Sequence, residues 1–260
     1  MISRAFAILL FLFLAAPARA DLVADWNRIA LDMAARSEQP LEYQLRAMAT
    51  VHAAMFETLN YIQGGYRPHF VVRPQVMRGI PPELAAAAAA HRVLGELYPA
   101  QALPPQPSHE SDDIGAGVAA IIGTSIAGVV RAVALDSVPE KNLLEAADTD
   151  SGASPLSWNG RVAELASAKG MSPIERARLH ALVSMAIVDA YAFARESGER
   201  CAPCIATPAA AAVLESELGT QLAQLSPARL DQDTGRQIGR HALQRYSPTS
   251  PAASSPAQAR

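Results

Sequence analysis

In 260 residues the chain has two cysteines, 5% aromatic residues and no lysine after Lys169. It has no basic stripe or arginine-rich tract to neutralise phosphates, and its formal net charge is −3, so nucleic acid is a poor partner. Strand-like alternation of useful length is missing, and so is any internal repeat. That leaves an all-α class. Two cysteines without a second Cys or His pair at matching spacing make a poor zinc site. Ile205 after Cys204 excludes the Cys-x-x-Cys-His haem attachment.

The N-terminus is well marked. MISRAFAILLFLFLAAPARA opens with Arg4 and continues through the apolar run Ala5–Ala16, which is too short to span a bilayer. It closes on Ala18-Arg19-Ala20, a small-residue cleavage site. Residues 1–20 read as a signal peptide, and the mature chain begins at Asp21. The expected location is the periplasm or beyond, with no stable membrane span after cleavage. In that oxidising compartment a close cysteine pair is expected to be bridged.

Half of the residues are hydrophobic, enough for one sizeable core in a single domain over residues 21–246. Residues 41–62 place Leu41, Leu45, Met48, His52, Met55, Leu59 and Ile62 at alternating spacings of four and three, one face of a helix ended by Gly64-Gly65. A second helix is expected from Pro82 to Tyr98, stopped by Pro99, and a third over 112–136. Within the third, Ile114–Val130 carries no charge. Its seventeen residues are short for a membrane span and include four Gly, so it reads as a buried core helix. Ser172-Pro173-Ile174-Glu175 is a capping box that starts a long helix ending near Gly198, with an apolar middle from Leu179 to Phe193. Shorter helices are expected at Pro208–Leu218 and Asp231–Tyr246. Residues 100–111 and 137–160 read as loops. Residues 247–260, rich in Pro, Ser and Ala, read as a disordered tail.

Four phrases in order, VADWNRIALDMAA, RAMATVHAAMFETLNYIQGGYRPHFV, ELAAAAAAHRVLGELYPAQ and RARLHALVSMAIVDAYAFAR, resemble the vanadium-dependent haloperoxidase family. The resemblance covers most of residues 23–245. It implies the helical bundle shared with type-2 phosphatidic acid phosphatases and bacterial acid phosphatases, here shortened. Such proteins hold vanadate, or a substrate phosphate, with a Lys, two Arg and a Ser-Gly backbone. One His bonds vanadium or attacks phosphorus, and a second serves as acid or base.

The resemblance also implies what has been lost. The Lys is expected near Gly198, where the nearest cation is Arg200, and the following Arg-Pro segment is deleted. At the Ser-Gly-His motif, Cys201 stands for Ser, Ala202 for Gly and Pro203 for His; proline offers neither a nucleophile nor a backbone donor. The His expected before the last helix is Pro227. The only nearby histidine, His241, lies inside that helix. Vanadate therefore lacks its ligands, and no cofactor is expected. Arg200, Cys201, Ala202, Pro203, Cys204 and Pro227 are the degenerate motif positions, with Cys201 and Cys204 as the disulfide candidate.

The remaining histidines and acids read as structural. His52 lies on an apolar stripe and is expected to be a core histidine with one hydrogen-bonded nitrogen. His91 and His109 read as surface or loop residues. His180 and Asp189 share a helix but differ by nine positions, half a turn apart, so they do not enter one site. Asp189 aligns with Leu182, Ala186 and Phe193 as a buried carboxylate with a structural partner. Three functions compete. The first is an exported non-catalytic relative of the family. The second is a phosphatase or haloperoxidase with an atypical site, needing Arg195, Arg200, Arg236 and Arg240 to converge. The third is a thiol-disulfide protein built on Cys201 and Cys204. Partner identity and homo- or hetero-oligomerisation stay open.

Overall fold

The structure, a computed structural model, describes residues 21–70, 78–105, 114–135, 154–199, 201–219 and 232–249. The proposed signal peptide, His109, Arg200, Pro227 and residues 250–260 lie outside the described residues. Those described form eight helices and no strand, so the protein is all-α.

Asp21 starts α1 (Leu22–Ala35) by accepting a hydrogen bond from the Ala24 N–H at 3.1 Å. The same carboxylate pairs with Arg176, tying the start of the domain to the central helix. The 23-residue α2 (Leu41–Gln63) is buried on nearly every side from Thr50 to Asn60. In α3 (Pro82–Leu97) Ala85 to Ala90 are all buried. Such small side chains let a neighbouring helix approach closely. α4 (Ile114–Leu135) does so through Gly123, where a Cβ would stand 2.1 Å from the Ala85 carbonyl oxygen.

α4 departs from the buried core helix expected from its composition. Only 33% of its apolar stretch Ile114–Arg131 is buried. Gly123 and its neighbours face α3, while Ile114 is 83% exposed and Ile121 67% exposed on the outer side. Lack of charge made the helix look interior; it is a peripheral helix packed on one face. By length and composition alone α4 and α6 could each cross a membrane, but α6 is the core of the bundle.

α5 (Ser157–Ala168) begins inside the stretch expected as loop. No side chain caps its start and Gly160 interrupts it, so it lacks the usual entry signals; burial of Asn159, Val162 and Ala166 holds it in place. α6 (Pro173–Ser197) has the expected capping box and ends at Gly198 in the left-handed region, φ 72°. α7 runs over Ala202–Leu218, starting six residues before the expected Pro208. Pro203 in the first turn withholds an N–H that has no partner there anyway. Pro208 is carried inside the helix, and α8 (Gln232–Arg245) lies against it. Gly235 and Gly239, one turn apart, permit that contact: a Cβ on the first would stand 2.6 Å from the Ile205 oxygen, and one on the second 2.4 Å from the Ala209 oxygen.

The central pair is α2 against α6. α3 and α4 extend the bundle from α2, α7 and α8 from α6; α1 packs on α2 and α3, and α5 on α6. Buried Arg178 of α6 anchors the C-terminal side. Its Nε donates to the Tyr246 carbonyl at 2.6 Å, its Nη groups hold Glu217, and its guanidinium lies 4.9 Å from the centre of the Tyr66 ring. Ser247–Thr249, placed by composition in the disordered tail, instead run antiparallel to residues 65–67. Arg67 N donates to the Ser247 oxygen at 2.8 Å, and Thr249 N to the Gly65 oxygen at 3.0 Å.

Candidate functional site

Ala202, Pro203 and Cys204 form the first turn of α7, with Cys201 as its N-cap. Cys201 and Cys204 lie at disulfide distance, S–S 1.98 Å and Cα–Cα 5.3 Å. Cys204 N donates to the Cys201 oxygen at 3.0 Å, so bridge and hydrogen bond close the same turn. Ala202 is buried, Pro203 half-buried. None of Cys201, Ala202, Pro203 and Cys204 lines the cavity between α2 and α6.

Polar groups gather instead at two places along the α2–α6 pair. The first is sealed. His52 shares one hydrogen bond with Ser184 Oγ (Nδ1, 2.9 Å) and another with Asn27 Oδ1 (Nε2, 3.0 Å). Because the Asn27 carbonyl oxygen only accepts, Nε2 carries the proton and Nδ1 accepts from the Ser184 hydroxyl. Ser184 Oγ also lies 3.3 Å from Asn159 Oδ1. The His180 ring packs 4.8 Å from that of His52, and neither of its nitrogens has a hydrogen-bond partner among the described residues. Both imidazoles are fully buried. Burial pulls His52 down to about 3, and burial together with His52 and Arg176 pulls His180 well below the usual range, so both are neutral.

The second place is a half-open cavity of about 380 Å³. α2 supplies Arg46, Ala49, Thr50 and Ala53, one stripe at helical spacing. α6 supplies Met185, Val188, Asp189, Ala192, Arg195 and Glu196, another stripe. His69 and Phe70 come from the segment after α2, and Arg245 from the end of α8. Beneath the two stripes Glu42 is 1% exposed and binds both Arg46, at 3.2 Å, and Arg195. Arg245 pairs with Asp189 at 2.9 Å. Burial holds Asp189 above its ordinary value, against the pull of Arg245. His69 is lowered by burial and by Arg245. Its backbone N–H, with that of Phe70, donates to Glu57 Oε1 at 2.8 and 3.0 Å, which fixes the segment over the cavity wall.

His180 and Asp189 do fall on separate sides of α6, the first in the sealed cluster and the second in the cavity. Asp189 has its structural partner but is half-buried, and Phe193, one turn further on, is 40% exposed. His52 uses both ring nitrogens where one was expected. His91 is half-buried, edge-on to Trp26 at 5.8 Å between ring centres. Of the three candidate cations among the described residues, Arg195 alone lines the cavity. Arg236 pairs with Glu215 at 3.7 Å, Arg240 is exposed and Arg200 lies outside the described residues. Sequence reasoning missed Arg46, His69 and Arg245. For Arg46 a signal existed: with Ala49, Thr50 and Ala53 it forms a second stripe, beside the apolar one. No group of three or more His, Cys, Asp or Glu suited to a metal ion occurs among the described residues.

Comparison of the chain with family models, curated proteins and solved structures gives no match.

Proposed function

We propose that this is an exported, non-catalytic relative of the vanadium-dependent haloperoxidase and acid phosphatase superfamily, a shortened helical bundle that has lost its oxyanion chemistry. The carrying observation is the first turn of α7. At the position of the resembled Ser-Gly-His stand a bridged Cys201, a buried Ala202 and Pro203. A disulfide sulfur is no donor to an oxyanion, and proline supplies neither nucleophile nor N–H, so these residues do not fit vanadate. The bundle's two central histidines offer no substitute: they are neutral, fully buried and packed on each other. Export rests on the N-terminal signal pattern, and the bridged pair agrees with an oxidising compartment.

The enzyme reading retains one support, the convergence of Arg46, Arg195, Arg245 and His69 in one cavity. Against it, Glu42 and Asp189 already occupy those guanidiniums. The deciding experiment incubates purified mature protein with p-nitrophenyl phosphate and, separately, with vanadate, peroxide and a brominatable dye. Neither reaction should exceed the buffer rate. Hydrolysis abolished by His69→Ala would establish an enzyme with an atypical site. A third assay, insulin reduction, should read the same for wild type and Cys201→Ser; a loss in the variant would favour the thiol-disulfide function.

A further inference from the structure

We propose that the outer face of α4 is a two-fold interface through which two copies of this chain pair, helix against antiparallel helix. Of the four large hydrophobic side chains exposed among the described residues, three stand on this helix: Ile114, Ile121 and Val129. The exposed stripe runs through Ile114, Gly117, Ile121, Ser125 and Gly128, with Val129 beside it. Its spacings of three, four, four and three read the same from either end, with Ile121 at the centre. An antiparallel partner centred there sets Ile121 against Ile121, Gly117 against Ser125 and Ile114 against Gly128. A large side chain therefore meets a small residue at both ends of the stripe. The space is there to receive it: a Cβ on Gly117 or Gly128 meets nothing within 4 Å, whereas one on Gly123 would strike α3.

Polarity and charge agree with this occupant. The Ser125 hydroxyl donates to the Ile121 oxygen of its own helix at 2.7 Å, so it needs no partner from outside. Over positions 111–131, the span that the overlap covers, the charged residues are Asp112, Asp113 and Arg131. Arg131 is 45% exposed and pairs with Glu96 of α3 at 2.7 Å, as does Arg92. Antiparallel pairing sets Arg131 level with the acids of the other copy and opposes the two helix dipoles; parallel pairing sets like against like. A lipid surface suits the stripe less well. Interfacial helices carry Trp, Phe or Leu and several cations, whereas this span has glycine on the stripe and Arg131 as its one cation. The stripe from Ile114 to Gly128 is about 21 Å long at ~1.5 Å per residue, and a helix face is about 10 Å wide. That falls short of the roughly 800 Å² per partner of stable interfaces, so the pair is weak and reversible.

The test is sedimentation velocity on the mature protein over roughly 1 μM to 1 mM, the affinity range of a small interface. The mass should rise reversibly from one chain toward two. Ile121→Glu sets two carboxylates against each other at the centre and should keep the protein monomeric throughout. Gly128→Leu closes the space for Ile114 and should weaken pairing roughly tenfold or more, although it makes the face more apolar. Ile121→Cys, oxidised at high concentration, should form a covalent dimer by itself. Gly117→Cys and Ser125→Cys should cross-link when mixed and form little dimer singly. Circular dichroism melts establish that each variant is folded. A mass of one chain at every concentration would overturn the pairing. Tighter association of Gly128→Leu, or absence of the Ile121→Cys dimer, would overturn the register. Flotation of a monomeric protein with phosphatidylethanolamine–phosphatidylglycerol vesicles would assign the face to lipid instead. The inference stands apart from the non-catalytic reading, because hydrolysis of p-nitrophenyl phosphate would remove that reading and leave the measured mass as it is.

Discussion

The same two helices hold polar residues in two opposite ways. On one side of the α2–α6 pair, His52, His180, Ser184, Asn27 and Asn159 are buried and neutral. On the other, Arg46, Arg195, Arg245 and Asp189 are charged and border a cavity, and Glu42 pairs with two of them from behind it. Counter-ions explain the difference: Glu42 is as buried as His52, 1% exposed each, but stands between two guanidiniums. A buried group without an opposite charge keeps its place by shedding charge and by hydrogen bonding; one that is paired keeps its charge. The sealed side is held by neutral hydrogen bonds, the open side by ion pairs.

The largest effect is expected at Glu42. Removing it in Glu42→Ala strands two largely buried guanidiniums and should cost about 3–5 kcal/mol, measured by urea unfolding. A loss under 1 kcal/mol would mean that the cavity arginines are effectively solvated, and the contrast between the two sides would shrink. On the sealed side His52→Leu leaves Asn27 and Ser184 without their shared partner. A loss of about 2–4 kcal/mol is expected.

pH separates the two sides by sign and window. His52 has a folded value of about 3 against 6.5 when unfolded, and His180 is depressed as well. The unfolded chain thus binds more protons below pH 6.5. Stability contributed by the neutral histidines is complete above that value and is lost as pH falls toward the folded values. Each fully titrating histidine gives a slope of ~1.4 kcal/mol per pH unit. Between pH 6.5 and 5, before most carboxylates protonate, the urea midpoint should fall steadily. His69, also lowered, adds in the same direction. Stability that stays flat over this window would mean that the histidines already carry charge in the folded state.

How much of this was legible depends on how local each signal is. The α2 stripe, the Ser172–Glu175 box and the stops at Gly64 and Gly198 depend on neighbours within one or two turns, and each stands where the pattern put it. α5 was hidden because tertiary burial, not a cap, holds it. The start of α7 was hidden because Pro208 reads as a beginning, while Pro203 and the bridge set the true one. α4 was misplaced because its composition does not reveal which neighbour it has. The cavity was the least legible: Arg46, His69, Asp189 and Arg245 come from four stretches with no shared motif, and only the packing of α2 on α6 brings them together.

His180 gives the smallest effect and the sharpest test of the contrast. It sits in the sealed cluster, yet both ring nitrogens lack a hydrogen-bond partner among the described residues. Unlike His52 it holds no other polar group in place through its ring. Leucine is close to it in volume, and its neighbours Leu179, Val183 and Ile187 are apolar. His180→Leu should therefore stabilise the protein by about 1 kcal/mol, since it deletes an unmade donor and acceptor and adds apolar contact. It should also reduce the pH slope between 6.5 and 5, because one depressed titration disappears. A destabilisation of 2 kcal/mol or more would show that the His180 nitrogens have partners after all, such as a buried water. The two histidines would then form one connected network, and the sealed side would owe its stability to both.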